Sequence, residues 1–174
     1  MTSVPARPES CGDPGLRAAV LTVSDSSFAG ERPDLTGPEV AGRLRAMGWD
    51  VRDAAVVPDE CGAIRRALES WAARDDLDAI FTAGGTGVAP RDVTPEATRA
   101  VIEREVPGLT ELMRAEGLKS TRRAVLSRAV AGTRGAKLIV NLPGSPRGAL
   151  ESLNAVADLL PHIVELLRGR GSPH

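Results

Sequence analysis

The chain has 174 residues, 42% of them apolar but only 2% aromatic, with no tyrosine and a net charge of −1. That length suits one domain with a proper core, which Val, Leu, Ile and Ala must build, as in a sheet covered by helices. The near-neutral charge excludes a general polyanion binder, and the shortage of aromatics excludes a surface that reads single strands by stacking, so no nucleic-acid partner is expected.

Residues 1–16 carry Pro5, Pro8, Pro14, Gly12 and Gly15 without apolar periodicity, and are expected to form a flexible arm. Ala18–Val23 is a continuous apolar run fit for a strand buried on both faces. It exits into the hydroxyl- and carboxylate-rich Ser24-Asp25-Ser26-Ser27. Thr36 to Glu39 reads as a capping box, with Pro38 in the first turn of a helix running to Met47 and stopped by Gly48. Val51–Val57 predicts a second strand, ending at Pro58-Asp59-Glu60. Ile64, Leu68 and Trp71 then recur at helical spacing over 60–74. Trp49 and Trp71 read as packing residues.

Leu77–Thr82 predicts a third strand, followed by Ala83-Gly84-Gly85-Thr86-Gly87. Thr94 and Pro95 read as the cap and first-turn residue of a helix to Arg104. Pro107-Gly108 breaks the pattern before a helix over 109–116. Lys137–Leu142 is the fourth strand, opening into Pro143-Gly144-Ser145-Pro146. Residues 148–167 read as two helices separated at Pro161, with a short tail over 169–174. The folded domain is expected over 17–168. Cys11 and Cys61 are too few and scattered for a disulfide framework or a zinc site. No secretory or membrane-spanning run is visible, so a cytoplasmic location without a membrane partner is expected.

Strands alternating with helices imply a three-layer α/β/α domain with a largely parallel central sheet. Ligands in such sheets bind at the carboxyl ends of the strands. That rule gathers 24–27, 58–60, 84–92 and 141–146 at one edge. The glycine loop can bring bare N–H groups against a phosphate, and the following helix start adds to an anion site. It is neither a Walker A loop nor a dinucleotide fingerprint, and a tight strand-to-helix connection would use the same glycines. Asp92 beside phosphate calls for a cation between them. Residues 114–147 hold Arg114, Lys119, Arg122, Arg123, Arg128, Arg134, Lys137 and Arg147 against Glu116 alone, a local excess that suits a small phosphorylated ligand or merely solvates surfaces.

Five motifs occur in one order: Val23-Ser24-Asp25, Val57-Pro58-Asp59-Glu60, Thr82 to Gly87, Arg91-Asp92-Val93-Thr94-Pro95-Glu96, and Asn141-Leu142-Pro143-Gly144-Ser145-Pro146. With these the chain, from about Arg17 to Leu167, resembles the molybdopterin-binding MogA/MoaB family, which includes the G domain of gephyrin. The resemblance implies a molybdopterin-binding fold, commonly trimeric, in molybdenum cofactor biosynthesis. It implies adenylyl transfer from MgATP to the molybdopterin phosphate, giving adenylyl-molybdopterin and pyrophosphate. Asp59 and Asp92 match the catalytic and metal (Mg²⁺) positions. Thr82, Gly84, Gly85, Thr86 and Gly87 match the glycine-threonine loop, and Asn141, Pro143, Gly144 and Ser145 the pterin side. Ser24 and Asp25 join the substrate set, Asp25 as a ligand to metal or nucleotide or only as a partner of its own loop. Ala83 departs from the family's threonine. The alternatives are a non-catalytic molybdopterin scaffold of the MoaB type and a plain nucleotide-binding module. A homotrimer would need apolar surface, for which Leu153–Leu167 is the candidate, and a molybdenum-insertion protein is a further possible partner.

Overall fold

Residues 18–23 are almost wholly inaccessible, a state that a strand reaches only in the middle of a sheet covered on both faces. The computed structural model describes residues 15–169; all but the last two residues of the arm expected over 1–16, and all but the first of the tail expected over 169–174, lie outside the described residues. This first strand, β1 (Arg17–Val23), is followed by a single turn, α1 (Asp25–Phe28), and by α2 (Thr36–Ala46), β2 (Asp50–Val57), α3 (Cys61–Ala72) and β3 (Ala79–Ala83). Next come α4 (Thr94–Arg99), β4 (Arg104–Glu105), α5 (Pro107–Leu118), a 3-10 turn over Arg122–Leu126, β5 (Ala131–Arg134), β6 (Lys137–Leu142), α6 (Pro146–Val156) and α7 (Leu160–Leu167).

The strands form one sheet in the order β2-β1-β3-β6-β5-β4, with β2, β1, β3 and β6 parallel and β5 and β4 antiparallel at one edge. Alternation along the strands sorts the core into two layers. Ala18, Val20, Phe81 and Val140 pack with Val40 and Leu44 of α2, Met113 of α5, Leu153 of α6 and Leu160 of α7. Ala19, Leu21, Ile80 and Ile139 pack with Ile64, Leu68 and Trp71 of α3 and Ala97 of α4. The result is the three-layer α/β/α arrangement expected. Each buried Leu or Ile contributes roughly 1.5–3 kcal/mol. Trp49 meets Phe81 edge to face at 5.9 Å, a packing role, as is that of Trp71.

At the amino end of the sheet Asp78, 3% exposed, gathers the chain. Its carboxylate accepts from Arg17 N (2.9 Å), Nε (2.9 Å) and Nη2 (3.0 Å), and from Arg168 Nε (3.0 Å) and Nη2 (2.7 Å). Burial pushes this acid up, but the two guanidinium groups and the Arg17 N–H outweigh that and hold it at about 2.

Several local expectations are corrected. The capping box at Thr36 does not form: Asp34 Oδ1 accepts from Gly37 N at 3.0 Å instead, while Thr36 Oγ1 donates to Gly144 O at 2.7 Å. Likewise Thr94 does not cap α4; its hydroxyl donates to Gly84 O at 2.9 Å. α4 stops at Arg99, because Arg104–Glu105 is drawn off to pair with β5. Pro107 starts α5 from its first turn rather than breaking it. The apolar face of 153–164 is spent on the core, with Leu153, Leu160 and Val164 at 0% exposure. Across Leu153–Leu167 the exposed large apolar side chains are Leu159 and Leu166.

Candidate active site

The parallel strands end together, and the loop after β3 lies centrally among those ends. Gly84 and Gly85 have φ of +112° and +64°, in the region that side chains avoid. A Cβ on Gly84 would overlap Val23 O, and one on Gly85 would overlap Thr94 Oγ1 and stand 3.2 Å from Asp59 Oδ1. Both positions therefore need glycine for conformation and for space. Gly84 N donates to Leu142 O at 3.1 Å, and Thr94 N to Gly85 O at 3.1 Å. Among the described residues the next donors, the N–H groups of Gly85, Thr86, Gly87 and Val88, reach no protein acceptor. Four successive amides without a protein acceptor on a glycine turn are donors available to an anion. Asp92 closes the loop: its Oδ2 accepts from Ala89 N at 2.8 Å, and its N–H donates to Ala89 O at 2.9 Å.

Two cavities flank this loop. One, of about 360 Å³, is lined by Gly85–Gly87, Asp92, Arg114, Arg123 and Ser145 among others. The second, of about 420 Å³, is lined by Ser24, Ser27, Arg32, Asp34, Asp59 and Gly84 among others. Gly85 and Gly144 belong to both. The divide is thin, since a Cβ on Gly144 would lie 3.3 Å from Gly84 Cα. A ligand in each cavity would thus meet across two glycines.

Asp59 is held in place by a reciprocal clasp. Its Oδ2 accepts from Asp25 N at 2.8 Å, and Asp25 Oδ1 accepts from Asp59 N at 2.9 Å. The second oxygen of Asp25 takes Arg91 Nε at 3.0 Å and Nη2 at 2.5 Å. The hydrogen bond from Arg91, followed by that from Asp59 N, lowers the Asp25 pKa below its ordinary value. Asp59 moves the other way: burial raises it, and the Asp25 N–H only partly offsets that. One Asp59 oxygen is fixed by the clasp while Oδ1 stays on the Gly85 side.

The structure brings together Ser24, Asp59, Gly84 and Gly85 in the second cavity, and Gly85, Thr86, Gly87, Asp92, Pro143, Gly144 and Ser145 in the first. Ser24 and Ser145 also cap helices, accepting from Ser27 N (3.3 Å) and Gly148 N (3.2 Å). Three expected site residues stand elsewhere. Asn141 and Thr82 are 0% exposed. Asn141 Oδ1 accepts from Val130 N (3.1 Å), and its Nδ2 donates to Thr82 Oγ1 (2.9 Å) and Thr98 Oγ1 (2.8 Å). Both Asn141 N–H groups are thereby consumed in tying β6 to β3 and α4, so this side chain has no donor left for a pterin. Asp25 lines neither cavity; it grips the Asp59 loop rather than its own.

Sequence reasoning did not place Thr94, Asp34 or Arg128 among the site residues. Thr94, read as a cap, instead ties α4 to the glycine loop. Asp34 Oδ2 accepts from Thr22 Oγ1 at 2.6 Å, forming part of the second cavity. Arg128 reaches the far side of the glycine loop, and the only signal for it was membership of the basic run.

For a divalent cation, the donor chemistry fits in one specific sense. Among the described residues no group of three or more His, Cys, Asp or Glu could hold an ion. Mg²⁺, however, typically needs one or two carboxylates plus substrate phosphates and water, and Asp59 and Asp92 flank the anion loop in that way.

A model of the family described as a probable molybdopterin binding domain matches residues 19–162. The chain is 42% identical over 151 residues to the molybdenum cofactor synthesis protein cinnamon of Drosophila melanogaster, covering 85% of this chain and 25% of that protein. It therefore spans about a quarter of that relative. It is 38% identical over 156 residues to molybdopterin adenylyltransferase of Helicobacter pylori strain J99, covering 88% of this chain and 89% of the relative. Among solved structures, the molybdopterin biosynthesis enzyme MoaB of Thermus thermophilus superposes with a TM-score of 0.83 at 54% identity, over 88% of this chain and 97% of that one.

Proposed function

This chain belongs to the family of probable molybdopterin binding domains, and we propose that it is a molybdopterin adenylyltransferase of molybdenum cofactor biosynthesis. It transfers the adenylyl group of MgATP to the molybdopterin phosphate. The observation that carries this reading is the row of four free amides over 85–88, set where two cavities meet between Asp59 and Asp92. One cavity takes the nucleotide and the other the pterin, so that their phosphates converge at Gly85 and Gly144.

A molybdopterin phosphate oxygen attacks the α-phosphorus of ATP. The new P–O bond forms as the bond to the β-phosphate bridging oxygen breaks, and pyrophosphate leaves with that electron pair. No proton transfer from a protein side chain is required, because attacker and leaving group are both phosphate oxygens. The work of the protein is therefore positioning and charge stabilisation. The amides of the glycine loop hold phosphate oxygens without reorganising. Arg114 and Arg123 line the first cavity and offset the charge of a phosphorylated ligand. Asp59 and Asp92 would hold Mg²⁺, which supplies charge neutralisation between the two anions.

A homotrimer in the cytoplasm, handing its product to a molybdenum-insertion protein, completes the proposal; no helix among the described residues is long and apolar enough to cross a membrane. A second reading, a scaffold that binds molybdopterin without turnover, draws on Ala83, which lines the second cavity without a hydroxyl. Pyrophosphate release from MgATP, with and without molybdopterin, separates the two. Release that depends on molybdopterin and falls by about a hundredfold or more in Asp59→Asn and Asp92→Asn is expected. Molybdopterin bound without release would leave the scaffold.

A further inference from the structure

Arg128 holds the glycine loop from outside both cavities. Its N–H donates to Thr86 O at 2.8 Å. Its side chain then returns to the same loop: Nε donates to Gly87 O at 2.7 Å, Nη2 to Asp92 O at 2.5 Å, and Nη1 to Glu96. Three carbonyls of residues 86–92 thus converge on one residue. In a trans peptide the C=O and the following N–H point in opposite directions. Fixing the carbonyls of Thr86 and Gly87 toward Arg128 therefore turns the amides of Gly87 and Val88 away from it, and these are two of the four free donors. Fixing Asp92 O sets the backbone from which its carboxylate projects. Arg128 itself lines neither cavity.

We infer that Arg128 is the positioning residue for adenylyl transfer, presenting the amides of the glycine loop and the Asp92 carboxylate to the phosphates from behind. This rests on the anion-binding reading of the loop. The planar guanidinium is what the arrangement demands, because its donors diverge in a fixed fork toward separate carbonyls. A lysine ammonium keeps the charge but is a single point on a flexible stem. Glu96 steadies the outer end of the fork, and its own pKa is lowered by the hydrogen bond from Arg128. Arg128 also stands one residue, Ser127, beyond the 3-10 turn over Arg122–Leu126, whose Arg123, Ala124 and Leu126 line the first cavity. The wall of that cavity and the anion loop are consequently joined through one side chain.

The test uses the full chain, inorganic pyrophosphate as the probe, and amide NMR. In the wild-type protein, pyrophosphate is expected to shift the resonances of Gly85, Thr86, Gly87 and Val88. Arg128→Lys should melt close to wild type yet bind pyrophosphate at least about tenfold more weakly, the loss expected from misdirected donors to a charged ligand. In turnover, kcat should fall with little change in the KM for molybdopterin. If Arg128 merely supplied positive charge, lysine would restore affinity, and that result would overturn the assignment. Should Arg128→Lys fail to fold, Glu96→Gln frees one end of the guanidinium and is expected to weaken pyrophosphate by about threefold. Wild-type affinity in both Arg128→Lys and Glu96→Gln would also overturn the assignment. Loop amides that ignore pyrophosphate in the wild-type protein would remove the anion site itself, and this role with it.

Discussion

Replacing Asp78 by Asn tests the electrostatic account of the sheet's amino end without touching the site at the opposite end. The carboxyl is held at about 2 against an ordinary 3.8. Nearly two units at 1.36 kcal/mol each amount to about 2 kcal/mol of pH-dependent stability. Because the folded-state pKa is the lower one, this contribution is complete above the unfolded value near 4 and disappears as pH falls through about 2. The stability gap between wild type and Asp78→Asn, measured by urea unfolding, should therefore be widest at neutral pH. It should close by about 2 kcal/mol between roughly pH 4 and pH 2. Other carboxylates titrate equally in both proteins and cancel in the difference. Part of the neutral-pH gap persists in acid, because the amide presents a donor where Arg17 and Arg168 need an acceptor. A gap that stays constant from pH 7 to pH 2 would refute the argument. Pyrophosphate affinity at neutral pH should remain at the wild-type level throughout.

Two further outcomes follow from the site. Gly85→Ala places a methyl group against Thr94 Oγ1 and near Asp59 at positive φ; pyrophosphate binding measured by calorimetry should weaken at least about tenfold while the circular dichroism stays native, and undiminished binding would separate the loop from the ligand. Asp25→Ala removes the acceptor for Asp59 N and the partner of Arg91; kcat for pyrophosphate release should fall about tenfold to a hundredfold with KM for molybdopterin unchanged, whereas an unaltered kcat would reduce the clasp to a surface contact.

The parallel part of the fold is readable because each central strand is a short, uninterrupted apolar run, and the helices between carry Ile64, Leu68 and Trp71 or their equivalents at helical spacing. The antiparallel edge is not. Arg104–Glu105 has no strand pattern, and Ala131-Gly132-Thr133-Arg134 has little apolar content; the second owes its conformation to β6 beside it, and the first to β5. At the site, glycines and strand-end carboxylates announce themselves by residue type. Asn141 misleads for the same reason: an amide at a strand end looks like a ligand contact until Val130, Thr82 and Thr98 are seen to use its hydrogen bonds. Arg128 is invisible in the opposite sense. Its partners on the glycine loop are carbonyl oxygens, which every residue has, so no spacing of side chains could reveal the clamp.

The Asp78 knot has an architectural consequence. Arg17 stands at the entrance to the first strand and Arg168 just beyond the last helix, yet both grip one carboxylate, and Arg168 Nη2 also lies 3.5 Å from Gly15 O. The chain therefore enters and leaves the domain at one spot. A unit whose two ends meet can be set into a longer polypeptide like a bead on a closed loop, without stretching the host or unpicking a strand. This geometry is compatible with the homologous segment making up only about a quarter of the Drosophila relative. It also marks the point where an engineer could join the ends and open the chain elsewhere, far from the glycine loop.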